Sequence, residues 1–168
     1  MFLTSFLKPP LPIPKCYVPA LPGHVVVVYI SDDHWVKDDK FGKNIKDEEG
    51  YTSFALVNKA TGQALKHSIG VTYPVQLVDY NPGKLDKTVL WTMGRNLGDG
   101  YRAIRAVDNI HLNLDAYEGI PKLGGVHDGT HIVLWDWFGN DKQKWTIVAY
   151  YGKMVFYEGL NTFYNVRI

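Results

Sequence analysis

The sequence predicts an all-β fold built from three similar units closed on themselves, and three observations carry that prediction. The apolar runs are short, rich in Val, Ile, Tyr and Trp, and separated by Gly, Asn, Asp and Pro, which is the chemistry of strands and turns. No stretch of 11 or more residues shows a 3.6-residue apolar period. Three tryptophans, Trp35, Trp91 and Trp145, each close a polar stretch, at intervals of 56 and 54 residues. A period near 55 with about four strands per unit is unlike a solenoid or a propeller blade of roughly 40 to 50 residues. Three such units suit a pseudo-threefold barrel with one capped end, the β-trefoil, whose closure leaves no free sheet edge.

Along the chain, six of the nine prolines fall in the first 22 residues, so 1–22 reads as an extended arm that cannot donate a regular ladder of N–H groups. The trefoil domain is expected over 23–150, with strands at 25–30, 54–57, 75–80, 89–93, 101–107, 110–114, 132–137 and 144–150. The second and third units repeat in detail: Val75-Gln76-Leu77-Val78-Asp79-Tyr80 corresponds to Ile132-Val133-Leu134-Trp135-Asp136-Trp137, and 54–67 resembles 103–115 in pattern. The three spaced tryptophans are expected as core layers related by the repeat. In the C-terminal extension, 151–168, the runs 154–157 and 163–166 flank Glu158-Gly159-Leu160-Asn161 and read as a hairpin.

Composition removes several function classes. The 168 residues are 46% hydrophobic, enough for one buried core and too apolar for a disordered tail. Eighteen Lys+Arg against 17 Asp+Glu leave +1, which disfavours sequence-independent nucleic-acid binding. The single cysteine, Cys16, excludes an internal disulfide and a multi-cysteine zinc site. With no Asn-x-Ser/Thr acceptor, it points to a reducing compartment, the nucleus and cytoplasm. No apolar run approaches the roughly 20 residues that cross a bilayer, so no membrane insertion is expected. The opening Met1-Phe2-Leu3-Thr4-Ser5-Phe6-Leu7 lacks a basic start and runs into prolines, unlike a secretory leader. There is no Gly-x-Ser-x-Gly elbow, and Cys16 lies in the proline arm, far in sequence from the histidines that might activate it. His127 and His131 have a metal-ligand spacing, but Gly129 lies between them and no third ligand is evident. A binding protein without catalysis, metal or cofactor is expected.

Gln143-Lys144-Trp145 looks like the Gln-x-Trp signature of ricin-B-type trefoil lectins. More specific are Lys46-Asp47-Glu48-Glu49-Gly50, Phe54-Ala55-Leu56-Val57-Asn58-Lys59-Ala60-Thr61-Gly62, Lys66-His67-Ser68-Ile69-Gly70, Leu97-Gly98-Asp99-Gly100-Tyr101-Arg102-Ala103 and Gly124-Gly125-Val126-His127-Asp128-Gly129-Thr130. Together they resemble the Euonymus-lectin domain family of plants, from about residue 23 to 150. The resemblance implies a β-trefoil, nucleocytoplasmic location, glycan or glycoprotein partners, no catalysis, and a role in stress responses. It also implies that the first repeat is truncated, because the family opens with two more strands where this chain has its proline arm. Since first and last strands of a closed barrel are neighbours, the C-terminal extension is expected to complete the barrel.

A sugar offers paired hydroxyls at its edges and a C–H patch on one ring face, so a site needs a carboxylate or amide and an aromatic ring. With period 2 and Ile132 and Leu134 in the core, Trp135 and Trp137 face outward. In ricin-B-type sites the acid comes from an early strand of the same repeat, and the matching position is Asp115; Trp135 matches the stacking aromatic. Gln143, with Lys142 where the family usually carries an amide or with nearby Asn140, is expected to complete the polar rim. Lysine donates hydrogen bonds and accepts none. The second repeat has His67, Val78 and Val89 at the positions matched to Asp115, Trp135 and Gln143, so one site is expected, in the third repeat. Structural alternatives stay open: Asp115 anchoring the 115–119 turn, Gln143 making a loop bond, and the two tryptophans packing on a neighbouring loop. The expected function is recognition of mannose-type or galactose-containing glycans; the alternative is a protein-interaction module or a degenerate trefoil.

Overall fold

A computed structural model describes residues 27–28, 35–67, 69–98, 100–126, 130–149 and 163–167. The proline arm, His127 and the 154–161 part of the tail hairpin lie outside the described residues. Among those described there is no α-helix and no helix long and apolar enough to cross a membrane. The strands are β1 (Val27–Val28), β2 (Trp35–Asp38), β3 (Ser53–Asn58), β4 (Gln63–Lys66), β5 (Gln76–Asp79), β6 (Leu90–Met93), β7 (Ile104–Ala106), β8 (Asn109–Ala116), β9 (Thr130–Trp135), β10 (Thr146–Ala149) and β11 (Phe163–Arg167). Three single 3-10 turns, Lys87–Val89, Pro121–Leu123 and Asp141–Gln143, punctuate them.

Every pairing is antiparallel, and six strands make a ring: β11, β2, β3, β6, β7 and β10. The ring closes between β7 and β10 through reciprocal backbone bonds, Arg102 N to Trp145 O (2.8 Å) and Trp145 N to Arg102 O (2.9 Å). The last strand, β11, lies between β10 and β2. Two hairpins, β4–β5 and β8–β9, stand off this ring, and β1 pairs with the outer edge of β9. That arrangement is a β-trefoil.

The core follows the strand period. Phe54, Leu56, Leu65, Trp91, Ile104, Leu114, Leu134 and Trp145 interdigitate, with Trp35 packed against them. Two of the spaced tryptophans act alike: the Trp91 indole N–H donates to Leu65 O (2.8 Å) and the Trp145 indole N–H to Leu114 O (2.9 Å). Burying an indole requires such an acceptor, so the second and third repeats are each tied to their own hairpin in the same way.

These paired bonds fix the correspondence between the repeats. Leu65 faces Leu77 across β4–β5, as Leu114 faces Leu134 across β8–β9. Asp115 therefore corresponds to Lys66, not to His67 as the sequence pattern suggested; Val78 does match Trp135, and Val89 matches Gln143. A one-residue slip moves a side chain to the opposite face. His67 indeed lies on the core side, edge-on to Trp91 at 5.6 Å, its Nε2 3.0 Å from Lys87 O.

Outside the ring, Phe41 and Ile45 cover Ala55, Leu90 and Val107. Here the buried Arg105 Nη2 donates to Asp47 (2.8 Å) and Glu49 (2.7 Å). Burial raises the Asp47 pKa, but hydrogen bonds from Thr92, Arg105 and the Tyr51 backbone outweigh it and hold the carboxyl below its usual range. Arg105→Met, which strands this carboxylate, is expected to cost about 3–5 kcal/mol in urea unfolding at pH 7. Asp47's stabilisation is present above the ordinary carboxylate range and is lost as pH falls through its lowered folded value, so the difference between parent and variant shrinks in acid.

Candidate functional site

The third-repeat hairpin and the 3-10 turn before Trp145 bring the sequence-predicted residues together. In β8–β9, Asn113 pairs with Trp135 and Asp115 with Val133, so these four share the face opposite Leu114, Ile132 and Leu134. Asp115 and Trp135 are thus diagonal neighbours. The Asp141–Gln143 turn lies over β8, carrying Lys142 and Gln143 to them.

Asp115 is completely buried, and its Oδ1 accepts from Lys142 Nζ at 3.0 Å. Its Oδ2 is buried with no hydrogen-bond partner. Burial pushes the Asp115 carboxyl above the usual carboxylate range, while the Lys142 ammonium and, least of all, the nearby Gln143 amide favour the charged form. The lysine also lies 5.3 Å from the centre of the Trp135 ring, over its face. It therefore bridges the acid and the aromatic, which the 27-residue sequence separation of Asp115 and Lys142 concealed.

Gln143 is fully buried, its Oε1 accepting from Phe138 N (2.8 Å) and its Nε2 donating to Asp136 O (2.7 Å). Both ends of the amide hold the 136–143 loop, the structural alternative to its expected place on the polar rim, while the same amide lies near Asp115. Asn140 precedes the turn as its N-cap but makes no cap bond, and its Oδ1 is buried without a partner. In the second repeat the same place is taken by Asp86, which accepts from Thr88 N (2.9 Å) and Thr88 Oγ1 (2.6 Å). Trp137 lies beyond the end of β9, 40% exposed, with Gly139 at positive φ (71°) beside its ring. A residue that strand patterning did not reveal joins the cluster: Tyr117 stacks on Trp135 with ring centres 6.1 Å apart and planes at 27°, while remaining 41% exposed. Its position just after β8 was the available signal.

Three buried side-chain acceptors without partners occur among the described residues, Ser53 Oγ, Asp115 Oδ2 and Asn140 Oδ1, and two of them belong to this cluster. Folded proteins rarely leave such groups unpaired. Among the described residues no group of three acidic, histidine or cysteine side chains could hold a metal ion.

The sequence matches no protein-family model. It is 51% identical over 155 residues to the ricin B-like lectin R40G3 of Oryza sativa subsp. japonica, covering 85% of this chain and 76% of that one. The chain belongs to the ricin B-like lectin family. Ricin B-like lectin EULS3 of Arabidopsis thaliana is 57% identical over 117 residues, which are 70% of this chain and 37% of that protein. The present lectin-family chain thus spans three quarters of one relative and just over a third of the other. Its membership of the Euonymus-lectin branch agrees with the motifs quoted above. Among solved structures, the designed threefold-symmetric protein ThreeFoil superposes with a TM-score of 0.56 at 23% identity, over 74% of this chain and 80% of that chain. A mosquitocidal holotoxin matches with a TM-score of 0.52 at 17% identity, over 79% of this chain and 15% of that one. Both likenesses speak to the fold alone.

Proposed function

We propose that this ricin B-like lectin family member binds glycans, of mannose or galactose type, at the third-repeat surface formed by Asp115, Trp135, Lys142, Asn140, Tyr117 and Trp137. The observation that carries the reading is the pairing, in the third repeat, of two orphaned buried acceptors with an aromatic surface, a combination found in no other repeat among the described residues. Sugar hydroxyls satisfy orphaned acceptors, and a sugar C–H face fits an aromatic ring. Asp115 has no exposed surface, so a hydroxyl reaches it only as Lys142 swings off the Trp135 face. Until then Asp115 positions Lys142, whose remaining N–H groups offer donors. A single shallow site corresponds to about millimolar to micromolar affinity, and clustered glycans then bind through avidity. The same reading places the protein in nucleus and cytoplasm with a role in stress responses, which a fluorescent fusion followed before and after an imposed stress tests.

Glycan-array binding by the parent is expected to disappear in Trp135→Ala while the two melting curves stay within a few degrees. Equal binding by both would remove the site from this surface. A second reading has its own observation: Ile120, Leu123, Trp137 and Phe138 expose apolar area that suits a protein partner. A folded parent silent on the array would favour it.

A further inference from the structure

A cleft of about 560 Å³ opens beside the candidate site, and Lys142 belongs to both. One wall is the turn that carries Leu97 and Tyr101, and the other is the stretch from Gly119 to Val126. Gly119 permits this wall to pack: a Cβ there would stand 2.7 Å from Val126 Cγ2 and 2.9 Å from Ala116 O. Lys142, Lys144 and Asp141 close the cleft on the side of the 3-10 turn. Two lysines and one aspartate face the cleft, and both lysines are already paired: Lys144 donates to Asp141 at 2.8 Å, and Lys142 donates to Asp115, which lies buried behind the lining. Its volume falls in the roughly 300–1,000 Å³ range of small-molecule sites.

We propose that this cleft is a second saccharide subsite, so that the ligand is an oligosaccharide of at least two pyranose units. The inference rests on the carbohydrate reading of the Asp115–Trp135 surface. Three features suit a neutral pyranose there. Tyr101 and Pro121 supply an aromatic and an apolar wall for its C–H face. Lys142 and Lys144 supply donors to its ring and hydroxyl oxygens, and the well-exposed Asp141 carboxylate accepts from a hydroxyl. Because both lysines already have a carboxylate partner, a neutral ligand costs no broken ion pair. Because Lys142 lies between the two places, a ligand that displaces it from Trp135 meets it again in the cleft.

The test is calorimetric titration of the full chain with methyl α-mannoside, mannobiose and mannotriose, and with methyl β-galactoside and lactose. In whichever series binds, the longer sugar is expected to bind about tenfold tighter than its monosaccharide. Tyr101→Ala is expected to reduce that ratio to about threefold or less, with the monosaccharide Kd unchanged. Lys144→Ala, at a half-buried position, is expected to lower the ratio in the same sense and serves should Tyr101→Ala fold poorly. Equal affinity for short and long sugars overturns the subsite and leaves the primary site standing. A ratio unmoved in both variants also overturns it. No binding in either series, with an array silent for the folded parent, overturns subsite and primary site together.

Discussion

Truncation after Tyr150 is expected to abolish cooperative folding or to lower the melting temperature by well over 10 °C. The strand β11 pairs with β10 at four positions, Thr146 with Arg167 through Ala149 with Tyr164, and with β2 at two, Phe163 with Val36 and Tyr164 with Trp35. Its removal leaves two ring strands with unpaired N–H and C=O groups, a template for association. At about 0.5–1.5 kcal/mol net per ladder hydrogen bond, the loss is several kcal/mol. That is a large part of the 5–15 kcal/mol typical of a domain. Melting curves and size-exclusion chromatography of the truncated chain check this; an unchanged melting temperature and a monomeric profile would show that β11 contributes nothing to closure.

The second large effect concerns Lys142. Lys142→Ala leaves the fully buried Asp115 without its countercharge and is expected to destabilise the protein by about 2–4 kcal/mol at pH 7. Adding Asp115→Asn should recover most of that loss, a coupling that a double-mutant cycle reads directly. The pH dependence has a definite sign. Because the folded Asp115 pKa lies above the unfolded one, the folded state takes up the proton first. Stability from this group therefore rises as pH falls from the raised folded value to the ordinary carboxylate range. In Lys142→Ala the folded value climbs further and the window widens, so the variant regains ground on acidification; a loss that stays constant down to pH 4 would rule out an uncompensated carboxylate. Lys142→Gln tests the binding side. The neutral amide both donates and accepts and uncovers the Trp135 face, so glycan affinity is expected to rise about tenfold in array and titration.

The trefoil was legible in the sequence because tryptophan spacing is a consequence of the architecture: the same indole-to-carbonyl tie is needed wherever the repeat closes. The long β8 and β9 were legible through their alternation. By contrast β2 (Trp-Val-Lys-Asp) and β4 (Gln-Ala-Leu-Lys) are short and half polar, and they become strands because their neighbours pair with them. The expected 101–107 strand is interrupted: Arg102 bridges to Trp145, and the ladder resumes only at Ile104. Trp135 could be placed on the outer face from period 2, and Asp115 beside it from the resemblance to ricin-B-type sites. The bridge from Lys142 to both could not, since it depends on how the 3-10 turn lies over β8. Gln143 was ambiguous for a related reason, because an amide two residues before a tryptophan serves a sugar or a loop equally well until its loop bonds to Phe138 N and Asp136 O are seen.

The equivalence of the hairpins gives the second repeat the standing of a blank copy. Lys66, Val78 and Thr88 stand where the third repeat has Asp115, Trp135 and Lys142, on a scaffold anchored by the same indole bond. Asp86 already occupies the place of Asn140 and satisfies its own turn. The indole tie and the proposed ligand contacts thus reside in separate positions of each unit, although the Asp115–Lys142 pair of the third unit also contributes to stability. On the proposed reading, grafting the third-repeat face onto the second unit would give a bivalent protein while leaving both indole ties in place.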